Sequence, residues 1–112
     1  MSNERILPDD PLAYIKRCIK RRKILWTYHI NMRLKGRYIS RQAIIASVNH
    51  YEIIEEYPED KYFPSCLVCS QYQNQVFHVL FGVDVAGDNI RVITAYYPHP
   101  QKWQADLKTR RR

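Results

Sequence analysis

The chain has 112 residues, with 18 Lys and Arg against 11 Asp and Glu for a formal charge of +7, which leaves room for one domain and not for two. A hydrophobic fraction of 46% beside 26% charged residues is globular composition and excludes a disordered tail protein. The charge is uneven: residues 1–50 hold 11 basic and 3 acidic groups and residues 51–112 hold 7 and 8, so a polyanion partner and a merely solvated basic helix are both open.

Asp10-Pro11 reads as an N-cap followed by Pro at the first helical position, and Leu12, Ile15 and Ile19 then recur at helical spacing. This predicts a helix over 11–23 whose outer face carries Lys16, Arg17, Lys20, Arg21, Arg22 and Lys23. Residues 25–28 form a short extended piece, followed by a short helix from His29 to about Lys35 that breaks near Gly36. Ser40 caps a further helix over 41–49. Four strands are predicted at 52–57, 66–72, 76–84 and 90–97, joined by short loops that suit antiparallel neighbours. A possible helical turn lies around Trp103. Helices first and strands after indicate an α+β domain, with N-terminal helices packed on one face of a small antiparallel sheet and the other face left for a site.

The three cysteines, Cys18, Cys66 and Cys69, are odd in number and form no secreted disulfide framework. Cys66 and Cys69 fall three apart on a strand, so they point to opposite faces and make a poor zinc pair; no metal or other cofactor is expected. No apolar run approaches the roughly 18 residues of a membrane span, and residues 1–5 lack an apolar signal region. A cytoplasmic protein without membrane contact is the expectation.

His78 sits mid-strand between Val76 and Leu80, either as a hydrogen-bonded core histidine or as a site group. His29, Arg33 and Arg37 share one face if 29–37 is helical, and an imidazole with two guanidinium groups suits a phosphodiester. A surface histidine beside solvated arginines is the alternative. Thr94 and Tyr96 share a face of the last strand, where Tyr96 could donate a hydrogen bond or simply pack.

Four stretches together carry a resemblance. They are Thr27-x-His29-x-x-x-Arg33-x-x-x-Arg37-x-Ile39-Ser40, then 52–58 with Pro64-Ser65-Cys66-Leu67-Val68, then Phe77-His78-Val79, and finally Ile93-Thr94-Ala95-Tyr96-Tyr97-Pro98-His99-Pro100-x-x-Trp103. In order and spacing they resemble the bacterial family called domain of unknown function 4258. The resemblance covers about residues 25–112, a single toxin-like domain, and leaves 1–24 as an extension with the basic helix. It implies a small toxin of the RelE/MqsR-like ribonuclease fold, encoded beside an antitoxin. It carries over His29, Arg33, Arg37, His78 and Tyr96 as catalytic residues. Two departures stand out: Tyr38, where the family often has Gly, and the polar 71–75 hairpin, which lacks the Gly-Arg often found there.

The function so implied is metal-independent RNA cleavage. His29 and His78 serve as acid and base around attack of the 2′-OH, Arg33 and Arg37 hold the phosphoryl charge, and Tyr96 orients or donates a proton. Lys16, Arg17, Lys20, Arg21, Arg22, Lys23, Arg110, Arg111 and Arg112 would bind further RNA phosphates. The rivals are a non-catalytic RNA-binding module and a protein-interaction domain that docks an acidic antitoxin.

Overall fold

The computed structural model describes residues 6–111, so Arg112 lies outside the described residues. Three helices, α1 (Pro11–Lys20), α2 (Tyr28–Gly36) and α3 (Arg41–Ala46), precede the strands β2 (Glu52–Tyr57), β3 (Ser65–Tyr72), β4 (Gln75–Asp84) and β5 (Asn89–Tyr96). A two-residue strand β1 (Ile24–Leu25) sits between α1 and α2. The sheet order is β1-β5-β4-β3-β2. The four long strands are antiparallel neighbours, but β1 pairs parallel to β5, so the sheet is mixed rather than purely antiparallel. The protein is a small α+β fold.

Each helix starts on a side-chain cap. Asp10, Thr27 and Ser40 accept from the backbone N–H three residues on, at 3.1, 3.1 and 2.9 Å. The first two helices end alike. Lys23 N–H reaches Cys18 C=O at 2.8 Å with Arg22 N–H on Ile19 C=O, and Ile39 N–H reaches Leu34 C=O at 3.0 Å with Tyr38 N–H on Lys35 C=O. These are Schellman motifs, whose left-handed residue is usually Gly. Here Arg22 (φ 62°) and Tyr38 (φ 58°) occupy it, at a cost of roughly 1–2 kcal/mol each. The basic helix therefore stops at Lys20 rather than 23. The third stops at Ala46 and continues only as a 3₁₀ turn over Val48–His50.

The core lies between the helices and one sheet face. Tyr14, Ile15, Cys18 and Ile19 of α1, Ile30 and Leu34 of α2, and Ile44 of α3 meet Cys66, Val68, Phe77, Val79, Phe81, Val83, Ile90, Val92 and Ala95. Thus α1 contributes to the same core as residues 25–96. The opposite face is not open along its centre. Residues 98–111 cross it, tied down by Lys108–Glu52 at 2.9 Å and by Arg110 on Glu55 at 2.8 Å, with Trp103 buried beneath. Leu67 and Cys69 on that face are buried, and an apolar face needs a cover. Residues 99–103 close one helical turn, with Lys102 and Trp103 N–H both on His99 C=O, and Trp103 then forms a single antiparallel bridge with Arg110.

Candidate nucleic-acid interface

Two irregularities decide which side chains reach the covered face. Along β5, Ile90 and Val92 face the core, and unbroken alternation would send Thr94 and Tyr96 there too. Instead the pairing steps from Phe81–Val92 to Leu80–Thr94, so Ile93 is an extra residue and the alternation inverts. Ala95 then enters the core, while Thr94 and Tyr96 join His78 and Leu80 on the other face. In β2 the pairing steps from Ile53–Val68 to Glu55–Leu67, and the inversion turns Glu55 and Tyr57 toward that face. Cys66 and Cys69 face opposite sides, the first in the core cluster and the second paired with His78.

Arg37 is the C-cap of α2, where the helix meets β5. Its guanidinium donates to Ala95 C=O at 2.6 Å and to Thr94 Oγ1 at 3.2 Å. Arg37, Tyr96, Tyr97, His99, Lys102 and Arg110 are among the residues lining one open cleft of about 420 Å³, bordered by the end of α2, the end of β5 and the C-terminal segment. Among the described residues no carboxylate lines it. His99 is exposed, and its Nδ1 accepts from Gln101 N–H at 3.1 Å. Its backbone C=O accepts from both Lys102 and Trp103 N–H, which folds Lys102 back beside it. Sequence reasoning gave His99 and Lys102 no role. The available signal was a histidine between two prolines, a segment stiff enough to hold an imidazole in place.

His78 has no exposed surface. Its Nε2 lies 2.7 Å from Leu107 C=O, and a carbonyl only accepts, so Nε2 carries the proton. Nδ1 is then the acceptor in the neutral ring, facing the Tyr96 hydroxyl at 3.4 Å. Trp103 stands edge-on to the ring with centroids 4.5 Å apart. Burial pushes the imidazole below its ordinary range, opposed by the Leu107 carbonyl and by Glu55. Burial also raises the Tyr96 phenol, keeping it protonated. For Glu55, burial acts upward but the Arg110 and Tyr57 hydrogen bonds outweigh it, and the carboxyl stays below its ordinary range. The structure therefore brings Arg37 and Tyr96 to one cleft with His78 directly behind Tyr96.

His29 and Arg33 are exposed and joined to each other, Arg33 Nε donating to His29 Nε2 at 3.1 Å. Eight residue steps at a 1.5 Å rise place His29 about 12 Å back along α2 from Arg37. It does not line the Arg37 cleft. Of the basic groups, Lys20, Arg21, Arg22 and Lys23 are exposed and Lys16 is half-buried, while Arg17 sits 3.8 Å from Asp88. Arg110 and Arg111 work as anchors: Arg110 grips Glu55 and lies over the Trp103 ring, and Arg111 Nε donates to the Pro100 and Trp103 carbonyls.

Among the described residues no helix is long and apolar enough to cross a membrane. No curated protein and no solved structure matches the chain. The model of one family, described as domain of unknown function (DUF4258), matches residues 26–97, from the strand-to-helix junction before His29 to the end of β5. That span holds His29, Arg33, Arg37, His78 and Tyr96, and it excludes α1 and the C-terminal segment. The chain belongs to the DUF4258 family.

Proposed function

We propose that the chain is a toxin-like endoribonuclease that cleaves RNA at the Arg37 cleft without a metal ion. The observation that carries the reading is the meeting of Arg37, Tyr96, His99 and Lys102 in one carboxylate-free cleft. In the proposed reaction a base takes the 2′-OH proton, the 2′-oxygen attacks the adjacent phosphorus, and an acid protonates the departing 5′-oxygen. The products are a 2′,3′-cyclic phosphate and a 5′-hydroxyl. Arg37 and Lys102 hold the charge that builds on the phosphoryl oxygens. His99, the imidazole at the cleft, moves a proton, and the protonated Tyr96 phenol donates one. His78 holds Tyr96 from behind, a positioning role that its burial favours over contact with substrate. His29, Arg33 and the exposed end of α1 bind phosphates further along the strand.

A non-catalytic RNA-binding module is favoured by a different observation: His29 and His78 do not share a cleft, so the two-histidine arrangement has no common substrate position. Product ends separate the two readings. Single-stranded RNA incubated with the protein in EDTA should yield 2′,3′-cyclic phosphate ends, and His99→Ala should slow the reaction at least 100-fold. Intact RNA with tight, salt-sensitive binding would replace cleavage by the binding module. Undiminished cleavage by His99→Ala would remove His99 from the chemistry.

A further inference from the structure

Tyr97 lies between two cavities. On one side it lines the Arg37 cleft, and on the other it lines a second cavity of about 290 Å³, near the lower end of the roughly 300–1,000 Å³ usual for small-ligand sites. Its hydroxyl donates to the Tyr38 carbonyl at 3.0 Å, which ties the end of β5 to the end of α2. The second cavity is bounded by Tyr38, Tyr72 and Tyr97, with Ser40, Gln73 and Gln75 supplying polar groups.

Three features make this a built site rather than a gap. Tyr38 is 90% exposed although it holds a left-handed backbone position that glycine fills more easily. Gln73 and Asn74 both have positive φ, 51° and 65°, between the paired residues Tyr72 and Gln75. This two-residue turn sets the exposed Gln73 and Gln75 at the rim of the cavity. Among the described residues no carboxylate lines either this cavity or the adjoining cleft. By contrast, two other cavities are lined by Glu56, Glu59 and Asp60, and by Glu52 and Asp106.

We infer that the Tyr38–Tyr97 cavity binds one base of single-stranded RNA whose neighbouring phosphate lies in the Arg37 cleft. The inference rests on the RNA reading above and adds the part of the strand that the second cavity selects. Tyrosine rings supply stacking faces, which any base can use. A glutamine amide carries both donors and an acceptor, the complement of a base's Watson–Crick edge, so Gln73 and Gln75 favour some bases over others. A paired base cannot present that edge, and a duplex is therefore excluded from the cavity.

The test compares two labelled strands of equal length and charge, a single-stranded RNA decamer and its fully abasic counterpart. Wild type should bind the base-carrying strand at least tenfold more tightly. Tyr38→Gly should lower that ratio several-fold while leaving affinity for the abasic strand unchanged, and Tyr97→Leu, which also borders the phosphate cleft, should lower the ratio by a similar factor. Tyr38→Gly removes the ring and relieves the backbone, so a thermal melt should show it folded. Arg37→Ala should weaken both strands alike. If RNA binds but neither tyrosine variant changes the ratio, the base site is wrong and the phosphate cleft stands. If neither strand binds at all, the RNA reading falls and the base site with it.

Discussion

Replacing His78 with Phe tests whether that residue is a neutral, hydrogen-bonded part of the interior. Phe keeps a ring against Trp103 and removes both nitrogens. The Leu107 carbonyl, now 2.7 Å from Nε2, loses its donor. An orphaned buried acceptor costs about 1–3 kcal/mol, so His78→Phe should lose about that much stability at pH 7.5. The pH dependence is the sharper readout. The folded imidazole titrates below its ordinary 6.5, so as pH falls through 6.5 the unfolded chain takes up a proton that the folded chain does not. His78 thus contributes stability that is present above pH 6.5 and lost on acidification. Were the folded ring to stay neutral throughout, the loss between pH 7.5 and 5.0 would be about 2 kcal/mol, which sets the ceiling. Glu55 also loses its contribution in acid, but its carboxyl lies below an ordinary 4.5, outside this window. Urea unfolding of both proteins at pH 5.0, 6.0, 6.5 and 7.5 gives the comparison. The gap between wild type and His78→Phe should shrink as pH falls. A constant gap, or a wild type that gains stability on acidification, would refute the assignment.

Two further outcomes follow from packing and backbone geometry. Trp103→Ala removes a ring that is 2% exposed and packs on His78, and it should cost about 3–5 kcal/mol in denaturant unfolding while freeing residues 98–111 to rapid proteolysis. Arg22→Gly and Tyr38→Gly relieve left-handed positions and should each raise stability by about 1 kcal/mol, seen as a higher melting temperature.

Much of the architecture was legible because periodicity reports burial directly. The β2 limits of 52–57 follow from the sequence, and the caps at Asp10 and Ser40 are local chemistry that needs no tertiary information. What failed was non-local or off-period. Strand β1 is two residues long and pairs with residues 66 positions later, Ile24 with Ile90; the extended piece expected at 25–28 overlaps it only at Leu25, and no local pattern announces its parallel sense. The helix end at Lys20 was hidden because Arg22 takes a conformation normally signalled by Gly. In β5 the face shared by Thr94 and Tyr96 was read correctly, yet only the extra residue at Ile93 puts that face opposite the core. For His78 the sequence allowed a core group or a site group; its burial and the Leu107 carbonyl could not be read, because the covering segment returns from 29 residues away. Tyr38 and the 71–75 hairpin are separate departures from the family pattern in the sequence. Nothing in one dimension says that they line the same cavity.

The parallel pairing of β1 with β5 also dictates an order of assembly. The strands β2 to β5 form a meander of neighbours, so their pairing can begin as each hairpin is completed. The apolar side of α1 and the two residues of β1 are made first, but their sheet partner is among the last segments to emerge. At synthesis rates of 5–20 residues per second, the 66 positions between Ile24 and Ile90 amount to a wait of roughly 3–13 s. For that interval Ile15, Cys18 and Ile19 lack the surface that finally covers them, and the six cations between Lys16 and Lys23 keep the nascent segment hydrated. The basic helix thereby acts as its own solubilising group before the sheet exists to receive it.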